Sequence, residues 1–125
     1  MKGLTVTDNE FSHTAMTGLL VASSSNVLVS RNVFTDIGYH ALLQLGAYEY
    51  GNILISNNYM DGSGITRYWS TSGIFSQGSR YIRISNNEVT HTLGNGIMIK
   101  SESLSKNYWT EQVIFVCPLI SISYS

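Results

Sequence analysis

The stretch Ile53-Leu54-Ile55-Ser56-Asn57-Asn58-Tyr59-Met60 carries β-branched residues at every second place into an asparagine, then resumes with apolar side chains. The same form occurs at Leu4-Thr5-Val6-Thr7-Asp8-Asn9-Glu10-Phe11, at Val27-Leu28-Val29-Ser30-Arg31-Asn32-Val33-Phe34 and at Ile82-Arg83-Ile84-Ser85-Asn86-Asn87-Glu88-Val89. The asparagines stand 23, 26 and 29 residues apart (32−9, 58−32, 87−58). Self-similarity at such a period is the mark of stacked units, each too small to bury its own apolar face.

A second short run follows each asparagine: Gly18-Leu19-Leu20-Val21, Ala41-Leu42-Leu43-Gln44, Gly73-Ile74-Phe75-Ser76 and Gly96-Ile97-Met98-Ile99. It starts nine residues after the asparagine in three copies (18−9, 41−32, 96−87) and fifteen after it in the third (73−58). The third copy therefore holds six extra residues within 61–72, and the second holds three extra within 47–51. The basic unit is about 23 residues long. Period-2 alternation punctuated by Gly, Asn, Ser and Thr predicts strands, and no 3.6-residue stripe persists for three turns. Strands repeating at this interval pair in parallel, and parallel crossovers are right-handed. The expected fold is all-β, a right-handed parallel β-helix of about four to five coils.

Equivalent positions then form columns along the stack. Leu4, Val27, Ile53 and Ile82 form one inward column, and Val6, Val29, Ile55 and Ile84 the next. Phe11, Phe34, Met60 and Val89 form a third, and Leu19, Leu42, Ile74 and Ile97 a fourth. Asn9, Asn32, Asn58 and Asn87 fall at a bend, where a side-chain amide satisfies backbone groups and its neighbours above and below. They are expected to be a structural ladder with no catalytic part.

At 125 residues the chain is one domain. Coils are expected over 1–101, and 102–125 reads as a divergent C-terminal tail outside the repeat register. Solenoids need covered ends, so the sequence is expected to be a piece of a longer β-helix, with the remaining coils of the parent chain as its first partner. A net charge of −1 from seven basic and eight acidic residues leaves no electrostatic footprint for nucleic acid. The apolar run Val113–Ile120 is broken by Pro118 and too short to span a bilayer. A single cysteine, Cys117, makes neither a disulfide framework nor a cysteine-rich metal site. No metal site and no cofactor are expected.

The asparagine-centred repeat and its Gly-Ile-x-Ile strand resemble the right-handed β-helix repeats of the pectate-lyase-like superfamily. The likeness runs from Gly3 to about Ser101. Glu10-Phe11-Ser12-His13-Thr14 and Glu88-Val89-Thr90-His91-Thr92 look most like its glycoside-hydrolase-like members. The resemblance implies an extracellular or periplasmic parent protein and a substrate groove on the sheet built from the Gly-Ile-x-Ile strands. Both insertions flank that sheet, and loops on a rigid scaffold are where function concentrates.

Candidate chemistry gathers near that corner. Asp36 and Asp61 lie on neighbouring coils, at a separation suited to paired glycosidase carboxylates. His40, just before the second groove strand, and Glu49, in the three-residue insertion, complete the catalytic candidates. Tyr48, Tyr50, Arg67, Tyr68 and Trp69 in the insertions offer faces and a cation for sugar, with Gln44 and Gln77 taking hydroxyls. His13 and His91 fall at equivalent corners three coils apart, about 14 Å, too far to share a metal ion. An outward stripe of Leu20, Leu43, Phe75 and Met98 is apolar and reads as covered by loops, by a missing domain or by a homo-oligomer contact. The expected function is part of a polysaccharide-active enzyme, with a glycoside hydrolase favoured over a lyase. The alternatives are a non-catalytic carbohydrate-binding or adhesive solenoid, and a structural segment that mediates assembly.

Overall fold

A computed structural model describes residues 2–46, 50–64, 71–78, 80–100 and 108–117, with the backbone alone at 80, 100 and 108–117. Every described element is a strand, and every strand pairing is parallel. β1 (Lys2–Thr7), β4 (Ser25–Ser30), β7 (Gly51–Ser56) and the first half of β10 (Arg80–Thr92) stack as one arm. β2 (Glu10–Thr14), β5 (Val33–Ile37), β8 (Tyr59–Ser63) and the second half of β10 stack as the next. β3 (Leu19–Ala22), β6 (Leu42–Leu45), β9 (Ser72–Gln77) and β11 (Asn95–Lys100) form a separate four-stranded sheet. The chain is a parallel β-solenoid.

The register is the one the repeats predict. Leu4 pairs with Val27, Val27 with Ile53 and Ile53 with Ile82. Those four positions mark about three full turns, slightly fewer than the four to five coils expected. β12 (Tyr108–Cys117) adds a further strand against β10, pairing Ile82 with Tyr108 and Val89 with Phe115. Backbone within the segment set apart as a tail thus lies on the stack, while its side-chain types leave the pattern. Val113 stands opposite Asn87, where a fifth ladder asparagine would fall.

The four apolar columns fill the interior. Val29, Phe34, Leu42, Ile53, Ile55, Met60, Ile74, Ile82, Ile84 and Ile97 are at most 1 % exposed. Each alternate residue faces out, so a β-branched residue at every second place serves both the strand conformation and the core. Phe11 stacks on Phe34 with ring centroids 4.9 Å apart.

The bends have a conformational signature. Asp8, Arg31, Asn57 and Asn86 precede the four ladder asparagines, and all have φ of 55–60°. A second left-handed column is Gly3, Asn26, Asn52 and Tyr81, and a third is His13, Asp36, Gly62 and His91. Each costs a non-glycine residue strain, and Asn, Asp and His tolerate it best among side chains with a Cβ. At the first of these bends Arg31 donates to both carboxylate oxygens of Asp8, at 2.9 and 3.1 Å, and holds that carboxyl below its ordinary range.

Inside the first bend the asparagines are chained. Asn32 donates its main-chain N–H (3.0 Å) and its Nδ2 (3.1 Å) to Asn58 Oδ1, and Asn58 donates in the same way to Asn87 Oδ1, at 3.0 Å each. Asn32, Asn58 and Asn87 also reach back to the carbonyls of Val6, Val29 and Ile55 in the coil before. Asn58→Leu orphans buried donors and acceptors on both sides, each costing about 1–3 kcal/mol. The expected loss is about 3 kcal/mol or more in denaturant melts, against about 1 kcal/mol for Asn9→Leu, whose side chain is exposed. Equal losses at the two positions would contradict a ladder whose worth lies in its buried rungs.

Candidate functional site

The third corner column lies where the second arm gives way to the four-stranded sheet. His13, Asp36, Gly62 and His91 each adopt a left-handed backbone there, with φ of 55°, 53°, 84° and 53°. His13 Nδ1 lies 3.3 Å from Asp36 Oδ2, and His91 Nδ1 lies 2.8 Å from Asp61 Oδ1. Thr90 Oγ1 also donates to Asp61 Oδ1, at 3.0 Å. The side chains stay open to solvent: His13 and Asp36 are 77 % and 57 % exposed, His91 and Asp61 67 % and 41 %. Gly62 breaks the row. A Cβ at that position would stand 3.4 Å from Asp36 Oδ1, so the missing side chain leaves a notch beside that carboxylate.

Asp36 and Asp61 are brought close in the sheet, since Thr35 pairs with Asp61 across β5 and β8. Their carboxylates nevertheless turn to opposite neighbours. Asp36 meets the histidine one coil before it, and Asp61 meets the histidine one coil after it. An imidazole whose Nδ1–H is held by a carboxylate keeps Nε2 available to a ligand. The row therefore offers two separate carboxylate–imidazole pairs on a rigid edge.

His40 is placed otherwise. It is 3 % exposed, and its Nδ1 accepts the Ser72 N–H at 2.9 Å, which fixes the neutral Nε2–H tautomer. Its ring packs between Tyr39 and Phe75, with centroids 4.0 and 5.0 Å away. Burial pushes its pKa down to about 4. Gln44, read as a hydroxyl-binding group, faces the interior instead, 1 % exposed, and accepts a hydrogen bond from Ser76 Oγ. The reason is parity: Leu42 points inward, so Gln44 does too. Gln77 lies half-buried on the outer row of β9, and Tyr50 half-buried just before β7. Tyr48, Glu49, Arg67, Tyr68 and Trp69 lie outside the described residues.

The two insertions fall in the connections 46–50 and 64–71, on either side of the paired strands β6 and β9. The outward row of that sheet runs Leu20, Leu43, Phe75, Met98, each paired with the next. Leu20 is 55 % exposed and the other three are half-buried. Among the described residues there is no enclosed pocket, and no three His, Cys, Asp or Glu side chains converge as ligands for a metal ion.

What sequence reasoning missed is the pairing of each carboxylate with a histidine. Spacing puts His13, Asp36 and His91 in one column with Asp61 one residue before it, but which carboxylate meets which histidine depends on side-chain direction.

The model of the right-handed β-helix region matches residues 2–114. The chain belongs to that family. Comparison with curated proteins and with solved structures found no match. At the level of the superfamily, the pectate-lyase-like resemblance agrees with the family and with the parallel solenoid.

Because the folded pKa of His40 lies near 4, against 6.5 for the free side chain, the unfolded chain takes up this proton first as pH falls. Stability linked to His40 is therefore complete above about pH 6.5 and is lost progressively toward pH 4, by at most about 3 kcal/mol. Chemical melts of the wild type and of His40→Gln across that window should differ in slope. Parallel curves would show that His40 titrates normally.

Proposed function

We propose that this β-helix segment binds polysaccharide along the exposed His–Asp corner. The observation that carries this reading is the row itself. Two carboxylate–imidazole pairs, each spanning two neighbouring coils, stand about 10 Å apart along the stack, two strand spacings, with a single glycine notch beside Asp36. Hydrogen-bonding groups at fixed intervals suit a ligand that is itself a linear repeat of hydroxyl-rich units. Among the described residues this edge holds no enclosed pocket, which favours a long polymer over an enclosed small molecule. The residue types Tyr48, Tyr50, Tyr68 and Trp69, with Arg67 and Gln77, suit stacking and polar contacts with sugar. A polysaccharide ligand implies a parent protein that works outside the cytoplasm, in the periplasm or beyond the cell.

The second reading is glycoside hydrolysis, and the adjacency of Asp36 and Asp61 on paired strands favours it. In that case Asp61, steadied by Thr90 and His91, acts as one carboxylate of the pair and Asp36 as the other, with Glu49 nearby in sequence. His40, buried and hydrogen-bonded, has a positioning part at most.

A glycan array followed by calorimetry separates the two. Binding by the wild type that falls about tenfold or more in His13→Ala/His91→Ala, with no reducing ends released, is the expected result. Release of reducing ends that drops by 10²–10⁴ in Asp61→Asn makes the chain a hydrolase. A folded protein that binds no glycan and cleaves none removes both readings.

A further inference from the structure

The near-neutral net charge hides a division between the arms. The stacked strands of the second arm, β2, β5, β8 and the second half of β10, hold four of the chain's eight acidic residues and none of its seven lysines and arginines. Glu10, Asp36, Asp61 and Glu88 fall there one to a coil. The first arm, over β1, β4, β7 and the first half of β10, holds Lys2, Arg80 and Arg83 and no acid. Arg31, at the bend before β5, is engaged with Asp8. A ligand lying along the second arm therefore meets a carboxylate in each coil, at a rise of about 4.8 Å.

The hydrogen-bonding sense of the corner is equally one-sided. An ionised carboxylate only accepts, so Nδ1 of His13 donates to Asp36 and Nδ1 of His91 donates to Asp61. Each neutral imidazole then keeps Nε2 as an acceptor, on a side chain open to solvent. Beside these acceptors lies an aromatic face. Tyr59 is 38 % exposed, pairs with Val33 on one side and Glu88 on the other, and shares its side of the strand with Asp61 two residues on. The core does not call for a ring at this outward place, since its equivalents in the other coils are Glu10, Val33 and Glu88. An exposed ring among carboxylates attracts an ammonium group to its face and stacks on the C–H side of a sugar.

Resting on the polysaccharide reading above, we propose that the outer face of the second arm selects an aminoglycan, a linear polymer of sugars with free amines, over neutral and acidic chains. The ammonium groups lie against Asp36, Asp61 and Glu88, and one sugar rests its C–H face on Tyr59. Hydroxyl and amine protons reach Nε2 of His13 and His91. Docking against carboxylates favours the charged form of each amine. A uronate chain would set its own carboxylates against these groups, and an N-acetylated chain would bring no charge to them.

The test is calorimetric titration of the whole chain at about pH 7, where carboxylates are ionised and a free imidazole is mostly neutral. Four probes of equal length are compared: oligomers of glucosamine, of N-acetylglucosamine and of galacturonate, and oligolysine. The glucosamine oligomer should bind about tenfold or more tightly than its N-acetylated counterpart, with no measurable binding of galacturonate. Glu88→Gln and Tyr59→Ala, both outward substitutions, should each weaken the glucosamine oligomer by about threefold or more. N-acetylglucosamine or galacturonate binding as tightly as glucosamine would overturn the charge selection and leave the polysaccharide reading standing. Oligolysine binding as tightly, with Tyr59→Ala without effect, would make the face a site for any polycation and overturn the proposal. Silence from all four probes would overturn it too, and silence across a full glycan array would remove the polysaccharide reading with it.

Discussion

A buried asparagine that both donates and accepts along the axis is the constraint from which the rest of this structure follows. Each coil turns sharply between its first two arms, and a sharp turn strands backbone groups in the interior. The amide of Asn58 resolves this by taking two N–H groups from Asn32 and giving its own to Val29 O and Asn87 Oδ1. Because the bonds run between coils, they also set which coil lies on which. A slip of one residue would move the amide out of the bend and turn Ile53 and Ile55 outward. Ladder and apolar columns therefore enforce the same register: one punishes unpaired polar atoms and the other exposed apolar surface.

The bends impose a second condition, a residue with positive φ at each of three corners. This explains why residues that look like chemistry gather at one edge. His13, Asp36 and His91 occupy a left-handed column in which Gly62 is the fourth member. Their types are those the backbone tolerates, and the same corner holds them out in solvent. Conformation and exposure thus account for a row of imidazoles and carboxylates before any ligand is invoked. Function would then build on residues that the fold had already selected.

Much of this was legible in the sequence, because a repeated pattern reports its own alignment. The four asparagines, the inward columns and the positions of both insertions all follow from spacing alone, and the strand pairings match them. Other features were lost for physical reasons. Gln44 was read as surface although Leu42 fixes its parity as interior. His40 looked like a free base, but Ser72 and Phe75, one coil away through a long connection, bury it and hold its ring. The pairing of Asp61 with His91 needs side-chain direction, which spacing does not supply. β12 lacks the ladder asparagine, and Tyr108 and Thr110 stand where the other rungs carry aliphatic residues, so its place beside β10 emerges from the backbone pairing.

The most direct test of the ladder is amide exchange at the asparagine side chains, read by ¹⁵N-resolved NMR under native conditions. The Nδ2 protons of the buried Asn32, Asn58 and Asn87 should exchange only with unfolding of the stack, while those of the exposed Asn9 should exchange far sooner. Four side-chain amides exchanging alike at the rate of free asparagine would contradict the claim that this chain of buried hydrogen bonds holds the coils in register.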